Sequence, residues 1–403
     1  MTSRYRHTMS TVDPRAAQTT ASVRQRNRTV ALQYILRERE TTRAALSRAT
    51  GLSSAASASI VTELISDGLV AEVGAMASRG GRPIAVIGPR AEGGYAIGAD
   101  IGERGVAVEL FDLTLTMVDR EFRGGGKEET PERIWADLRE AIDALRERNA
   151  SIWDRLVGIG LGLPGVVEAD ENGVQTLYAQ SLGWAPQPIP SDYEVPVFAE
   201  NGAKMQARAE LWFGAARGID HAVVALMGRG VGLGVIADGE IYHGGFSSAT
   251  EWGHTKVAFG GRPCRCGDRG CVEAYVGADA LLESWRAVGG RFTGSGWQAI
   301  GALLDDAVAG GTAAGVLDEA IEALGAALGS IVNLTNPRRV VVGGWVGLRL
   351  MERHAGPITA AVRRNCLHRS GEQFDLVPAT FGGDTVALGS ALVPIEVLIG
   401  PPR

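Results

Sequence analysis

The stretch Glu251-Trp-Gly-His254, followed ten residues later by Cys264-Arg-Cys-Gly-Asp-Arg-Gly-Cys271-Val-Glu273, is the most informative part of this chain. Three of the four cysteines fall between residues 264 and 271. Three thiolates and one imidazole make the closed four-ligand set typical of a structural zinc site. Gly267 and Gly270 permit the tight turns that bring two cysteines to one ion. The pattern predicts structural Zn2+ held by His254, Cys264, Cys266 and Cys271.

The alternative interpretation is that these cysteines are small apolar side chains of a core. A loop rich in glycine and arginine is a poor place for a core, so metal binding is preferred. A bound ion would also hold Glu251, His254 and Glu273 in place beside it. There they are able to accept hydrogen bonds from a polyhydroxylated ligand.

Length and composition indicate a cytoplasmic protein of several domains. At 403 residues the chain is longer than one ordinary core, so two or three domains are expected. Hydrophobic residues make up 45% and charged residues 21%, which is typical of a soluble globular protein. No apolar run approaches the ~18–20 residues that cross a bilayer, and the N-terminus lacks the apolar core of a signal peptide. Few cysteines, mostly assigned to metal, favour a reducing cytoplasm without membrane contact.

Charge is distributed unevenly along the chain. Residues 1–90 hold thirteen arginines, no lysine and six acidic residues, which gives +7. The net charge of the whole chain is −6, so the remaining 313 residues carry −13. A basic head on an acidic body indicates that the head, and not the body, meets a polyanion.

The head has the pattern of a winged helix-turn-helix domain over residues 23–90, preceded by a flexible tail at 1–22. A helical pattern begins at Arg24, a second helix is predicted over Thr42–Ala49, and a third runs from Ser53 to about Asp67. Gly51 breaks the second helix and makes the tight turn. Two strand-like runs follow, and the loop between them forms the wing.

The predicted partner of this head is operator DNA, with the third helix in the major groove. The third helix offers serines, which discriminate poorly between bases, so DNA shape is expected to contribute to recognition. The alternative is a three-helix module that binds another protein. The predicted DNA-binding residues are Arg24, Arg28, Ser53, Ser54, Ser57, Arg79 and Arg82.

The body alternates strands, glycine turns and helices in two similar rounds. This pattern favours an α/β protein of two lobes with a ligand cleft between them. We place the first lobe at residues 93–199 plus 384–403. The second lobe, with the metal loop and the pocket, is placed at residues 200–383.

Several motifs together resemble the ROK family of bacterial sugar kinases and sugar-responsive repressors. They are the winged head, the two blocks around residues 251–273, Gly162-Leu-Pro-Gly165, and Glu200-Asn201. The resemblance implies an actin-like, hexokinase-type two-lobed fold with an N-terminal winged helix-turn-helix domain. It also implies a homodimer or homotetramer.

The chain departs from the family's kinases at three positions. Kinases place an Asp general base directly after Glu-Asn, where this chain has Gly202. Loss of a positioned base typically costs ~10²–10⁴ in rate. The first phosphate turn carries Glu103, which puts a carboxylate where phosphates must lie, and the second turn carries Arg229 in place of a hydroxyl. The predicted protein is therefore not an enzyme.

The sugar pocket, in contrast, matches the family. The resemblance assigns sugar contacts to Asn201, Glu251, His254, Glu273 and Gly165. His254 would serve both metal and sugar through its two ring nitrogens. The alternative is that the pocket is a relic with merely solvated carboxylates.

The prediction that combines these observations is a DNA-binding transcriptional regulator, a repressor, of carbohydrate metabolism. Its effector would be a sugar or sugar phosphate bound in a kinase-like cleft that has lost catalysis. One alternative is a repressor controlled by docking of a protein partner. The other is an active sugar kinase with a fused head.

Overall fold

The computed structural model describes residues 20–77, 83–102, 105–125, 130–294, 296–383 and 385–400. The α-helices of this part are α1 (Thr20–Glu38), α2 (Arg43–Thr50), α3 (Ser54–Ser66), α4 (Pro131–Arg148), α5 (Gly202–Phe213), α6 (Glu273–Val276), α7 (Ala278–Ala287), α8 (Trp297–Val308), α9 (Ala313–Thr335), α10 (Gly344–Arg364), α11 (His368–Gly371) and α12 (Thr385–Ile399). The strands are β1 (Val70–Met76), β2 (Ile84–Pro89), β3 (Tyr95–Gly102), β4 (Gly105–Asp112), β5 (Met117–Gly124), β6 (Leu156–Leu163), β7 (Val166–Ala169), β8 (Gln175–Tyr178), β9 (Gln187–Pro188), β10 (Val197–Asn201), β11 (Ala222–Met227), β12 (Val231–Ala237), β13 (Glu240–Ile241), β14 (Arg339–Gly343) and β15 (Asp375–Pro378).

The head consists of three helices and an antiparallel hairpin, β1–β2. Thr42 and Ser53 cap α2 and α3, because their hydroxyls accept backbone hydrogen bonds from Ala45 and Ala56 at 3.1 and 3.2 Å. Gly51 ends α2 in the left-handed region, at φ +71°. The helix-turn-helix expected from the sequence is therefore present.

Two boundaries of the head differ from expectation or remain open. Helix α1 begins at Thr20, so residues 20–22 belong to the helix and not to the predicted tail. Residues 1–19 lie outside the described part of the chain. The tip of the wing, residues 78–82, also lies outside it, and with it the predicted DNA-binding residues Arg79 and Arg82.

The body contains two five-stranded sheets of the same plan. In the first, β3, β4 and β5 are antiparallel neighbours, and β6 and β10 extend the sheet in parallel from β3. In the second, β13, β12 and β11 are antiparallel, and β14 and β15 extend it in parallel from β11. This repetition confirms the two-lobed α/β fold. Strand β10 continues through Glu200 and Asn201, so the first sheet extends two residues past the predicted lobe boundary at 199.

Glycines allow α12 to lie directly against the first sheet. A Cβ added at Gly98 on β3 would lie 1.9 Å from the Ala387 carbonyl oxygen of α12. One added at Gly160 on β6 would lie 1.9 Å from that of Ser390. These strands therefore require glycine where α12 crosses them.

The packing places the largest core in the second lobe and a separate one in the first. Helix α4 covers the first sheet with its apolar stripe, and α7 to α10 contribute to the second core. A third cluster contains residues of the head and of the first lobe together. No single helix in the described ranges is long and apolar enough to span a bilayer; α8 and α9 reach that length and apolarity only as a pair bent by 104°.

Candidate metal centre and neighbouring pocket

The metal loop is held in a compact hairpin by its own backbone. Bridges join Lys256 to Cys271 and Pro263 to Arg269, and the Cys264 amide donates to the Asp268 carbonyl at 2.8 Å. Gly270 has a φ of +78°, and a Cβ there would lie only 1.7 Å from the carbonyl oxygen of residue 258. The close approach explains why glycine is needed at this turn.

The loop brings the four predicted metal ligands together. The ligand atoms of His254, Cys264, Cys266 and Cys271 all lie within 4.8 Å of one another. The Cys264 Sγ to His254 Nδ1 distance is 3.7 Å, and Cys266 Sγ to Cys271 Sγ is 3.8 Å. Ligands at the usual zinc bond lengths lie about 3.5–3.8 Å apart in a tetrahedral site. This group can therefore hold a metal ion.

The surroundings of the loop shift the pKa of one cysteine and of one lysine. Burial raises the pKa of the Cys264 thiol to about 12, and the nearby Glu273 carboxylate acts in the same direction. Bound zinc would supply the positive charge that favours the thiolate. Lys256 Nζ lies 3.0 Å from Cys271 Sγ and 2.7 Å from Asp268 Oδ2, and both partners raise the pKa of this lysine.

Two of the predicted sugar-binding carboxylates border the metal loop. Glu273 is 6% exposed; its Oε2 accepts from the Val231 amide at 3.0 Å, and its Oε1 lies 3.5 Å from Arg265 Nη2. Glu251 directly precedes the short 3-10 helix that carries His254. Burial raises the pKa of Glu251. His254 and Lys204 act to lower this pKa, whereas Glu273 and Glu200 act to raise it further. Three carboxylates, those of Glu200, Glu251 and Glu273, are therefore close enough to influence one another.

A buried charge cluster that the sequence reasoning missed lies beside these carboxylates. Glu200 Oε2 is 2.8 Å from His243 Nδ1, and Glu200 Oε1 is 3.4 Å from Lys204 Nζ. Lys204 is 1% exposed and also donates to the Ser247 carbonyl. Burial acts to raise the pKa of Glu200, but His243 and Lys204 outweigh it and hold that pKa below its ordinary value. Glu200, near the end of β10, and Lys204, in the first turn of α5, are only four positions apart, and this short separation was the available sequence signal.

Asn201 and Gly165, also predicted sugar contacts, are bound to each other. Asn201 Nδ2 donates to the Gly165 carbonyl at 2.9 Å, while its Oδ1 caps α5 by accepting from the Ala203 amide at 2.8 Å. Gly165 has a φ of +131°, and a Cβ there would lie 2.4 Å from the carbonyl oxygen of residue 178. Asn201 therefore fixes the start of α5 against the turn at Gly165.

Of the three positions at which the sequence is expected to depart from the family's kinases, two lie among the described residues. Gly202 is the first residue of α5 and carries no side chain. Arg229, in the turn between β11 and β12, donates from Nε to Asp279 Oδ2 at 2.7 Å. Glu103 lies outside the described residues.

The predicted DNA-binding residues of the head that the structure describes differ in exposure and in their contacts. Ser57 is 0% exposed on the core side of α3, so the structure removes it as a DNA contact. Ser53 and Ser54 are exposed at the start of α3. Arg24 and Arg28 hold α1 against α3 through ion pairs with Glu63 (2.7 and 3.2 Å), and Arg28 also pairs with Asp67 (2.7 Å).

Comparison with known proteins gives one consistent family. The xylose repressor of Bacillus subtilis (strain 168) is 29% identical over 383 residues, covering 93% of this chain and 96% of the repressor. A crystal structure of a ROK family transcriptional regulator, a homolog of the E. coli MLC protein, matches the fold with a TM-score of 0.73 at 22% identity. It covers 94% of this chain and 97% of that one.

A kinase structure matches a smaller share of the chain. It is a ROK family glucokinase from Streptomyces griseus in complex with glucose and AMPPNP, with a TM-score of 0.61 and 25% identity. The match covers 74% of this chain and 99% of the kinase. Residues 96–396 match the ROK family as a whole, so this chain belongs to the ROK family.

Proposed function

We propose that this protein is a DNA-binding transcriptional repressor whose effector is a carbohydrate. The observation that carries the proposal is the contrast between two parts of the chain. The four residues of the proposed metal site lie together, while residue 202, at the start of α5, has no side chain to act as a base. The similarity to a xylose repressor over 93% of the chain supports the same assignment.

The proposed metal is zinc with a structural role. The ion would be held by His254, Cys264, Cys266 and Cys271. Four protein ligands leave no open coordination position of the kind that a catalytic zinc ion has. His254 Nδ1 lies 3.7 Å from Cys264 Sγ; if Nδ1 binds the ion, Nε2 is left for a sugar hydroxyl. The ion would thereby orient the histidine toward the pocket.

The proposed sugar contacts are Asn201, Glu251, His254 and Glu273, with Gly165 in the wall. Carboxylates accept several hydrogen bonds each, and a sugar hydroxyl supplies the donor. A sugar that lacks one of these hydroxyls leaves a partner unpaired, at a cost of about 1–3 kcal/mol. Discrimination among sugars follows from which hydroxyls meet these groups.

The proposed DNA contacts lie on the outward face of α3 and on the wing. The exposed residues of α3 include Ser54, Ala55, Ala58, Ser59 and Thr62. Such small side chains allow the helix to approach base edges closely but give little base discrimination. A homodimer or homotetramer would present two heads to an inverted repeat, and arginines would supply phosphate contacts.

A fluorescence-anisotropy titration with the DNA upstream of the protein's own gene tests this proposal. We expect binding that weakens steeply with salt, by about 0.9 in log Kd per log unit of salt for each phosphate neutralised. Absence of salt-sensitive binding would contradict the repressor assignment.

Calorimetric titration with D-xylose, D-glucose, N-acetyl-D-glucosamine and their phosphates tests the carbohydrate part. We expect heat of binding with at least one of them. Silence with all of these sugars would favour a repressor controlled by a docked protein instead. A separate coupled assay with ATP tests for phosphotransfer. Continuous ADP release with any of these sugars would identify an active kinase and contradict the proposed loss of catalysis.

A further inference from the structure

The head and the first lobe share one hydrophobic core. Ala31, Leu32 and Ile35 of α1 belong to the same buried cluster as Leu392, Ile395 and Ile399 of α12. The Thr29 hydroxyl of α1 also donates to the Ile399 carbonyl at 3.2 Å. Domains joined by a large apolar interface do not move independently, so the head follows the helices on which it is packed.

Helix α5 contacts the pocket at one end and the head at the other. At its start, the Asn201 cap is bound to the pocket wall at Gly165. At its end, Trp212 lies under the Arg37 guanidinium of α1, 4.7 Å from the ring centroid, and Phe213 lies under Arg39 at 5.3 Å. The twelve residues of α5 span about 18 Å.

The surroundings of α5 prevent its two ends from moving separately. Nine of its twelve residues are buried, so neighbours enclose it on all sides. Trp212 Nε1 donates to Glu396 of α12 at 2.7 Å, and Arg208 binds the same carboxylate. Glu210, 0% exposed, accepts from the Ala215 amide at 2.6 Å. Close-packed interiors transmit a displacement because they have no free volume to absorb it.

We propose that α5 is the element through which the state of the effector pocket reaches the DNA-binding head. A ligand that moves Asn201 or Gly165 shifts the start of α5, and the Trp212–Arg37 and Phe213–Arg39 contacts carry that shift into α1. The regulatory meaning of this path rests on the proposed function. The path itself is a property of the packing and is testable without DNA or sugar.

Hydrogen–deuterium exchange of the full-length protein provides the test. Asn201→Ala removes the cap of α5, which raises the opening equilibrium of a first helical turn by about fivefold. We expect amides in residues 31–39 of α1 to exchange at least about twofold faster as well. The matched control is Thr130→Ala, which removes the cap of α4, bonded to the Arg133 amide at 3.3 Å. It should accelerate exchange in α4 and leave α1 unchanged.

The reverse direction is tested from the head, since coupling between two sites is reciprocal. Arg37→Ala removes the contact with Trp212 and should accelerate exchange in residues 201–206 by about twofold or more. Arg286→Ala removes a similar stacking contact, 4.4 Å over Phe292 in the second lobe, and should leave both regions unchanged.

Two outcomes would overturn the path through α5. One is acceleration confined to α5 in the Asn201 variant; the other is acceleration confined to α1 in the Arg37 variant. If the Asn201 variant does not fold, the Arg37 variant alone decides. Failure of DNA or sugar binding in the titrations above would refute the function and leave this exchange result standing, so the two are distinguishable.

Discussion

Replacing Gly202 by Asp tests whether the missing general base alone accounts for the proposed lack of kinase activity. Among the described residues, the atoms nearest to a Cβ added at Gly202 are the Leu163 carbonyl oxygen and Val386 Cγ1, both at 3.7 Å. These are ordinary contacts, so the side chain fits. In a helix Asp is about 0.3 kcal/mol better than Gly. A carboxylate in the first turn adds about 0.3–1 kcal/mol through the helix dipole.

We therefore expect G202D to be more stable than the wild type by about 1 kcal/mol, measured by urea unfolding. We also expect no ADP release in a coupled assay with hexoses and pentoses. A base contributes about 10²–10⁴ only when the nucleotide phosphates are held in position. The second phosphate turn still carries Arg229, bound to Asp279.

The matched control is Gly315→Asp, in the first turn of α9, where the described residues leave open space within 4 Å. It should give a similar gain in stability away from the pocket. ADP release by G202D above the level of this control would contradict our reasoning, because it would show that the absent base is the main reason for the lack of kinase activity. A clear loss of stability confined to G202D would show that the start of α5 does not tolerate an added carboxylate two residues after Glu200.

Three further outcomes are expected. Elemental analysis should find one zinc ion per chain in the wild type and none in Cys266→Ser, whereas Cys366→Ser, outside the ligand set, should retain the ion. Gly160→Ala, whose Cβ would lie 1.9 Å from a carbonyl of α12, should lower the free energy of unfolding by about 1–3 kcal/mol or more, seen in urea midpoints. The pKa of Asp119 is lowered to about 2, chiefly by its hydrogen bond from Arg148. The ionised Asp119 carboxylate therefore stabilises the folded protein at pH values above 3.8, and this stabilisation is lost as the pH falls toward about 2. Arg148→Gln should reduce the loss of stability between pH 5 and pH 2.5, measured by urea unfolding at both pH values.

Local patterns in the sequence were sufficient where neighbouring residues decide the structure. The predicted metal ligands come together because Cys264, Cys266 and Cys271 are close in the chain and glycine turns fold them back. Helices α2 and α3 begin close to the predicted positions, at Thr42 and Ser53, because their caps depend only on residues three positions away.

Contacts between distant segments could not be predicted in the same way. Glu200 and His243 meet across 43 positions, and Thr29 meets Ile399 across 370. Ser57 is a different case. It lies three residues before Ile60, on the apolar stripe of α3, so its burial was available from helical spacing. A serine hydroxyl is suited to contact DNA, but the position of Ser57 on the apolar stripe places it in the core.

The central claim is that a carbohydrate pocket without phosphotransfer activity controls the affinity of the head for DNA. The most direct measurement is the Kd of the full-length protein for its own upstream DNA, with and without a saturating concentration of each sugar that binds by calorimetry. The account predicts a change in Kd of about 5- to 150-fold for at least one sugar, in the absence of ATP. An unchanged DNA affinity for every sugar that binds would contradict it.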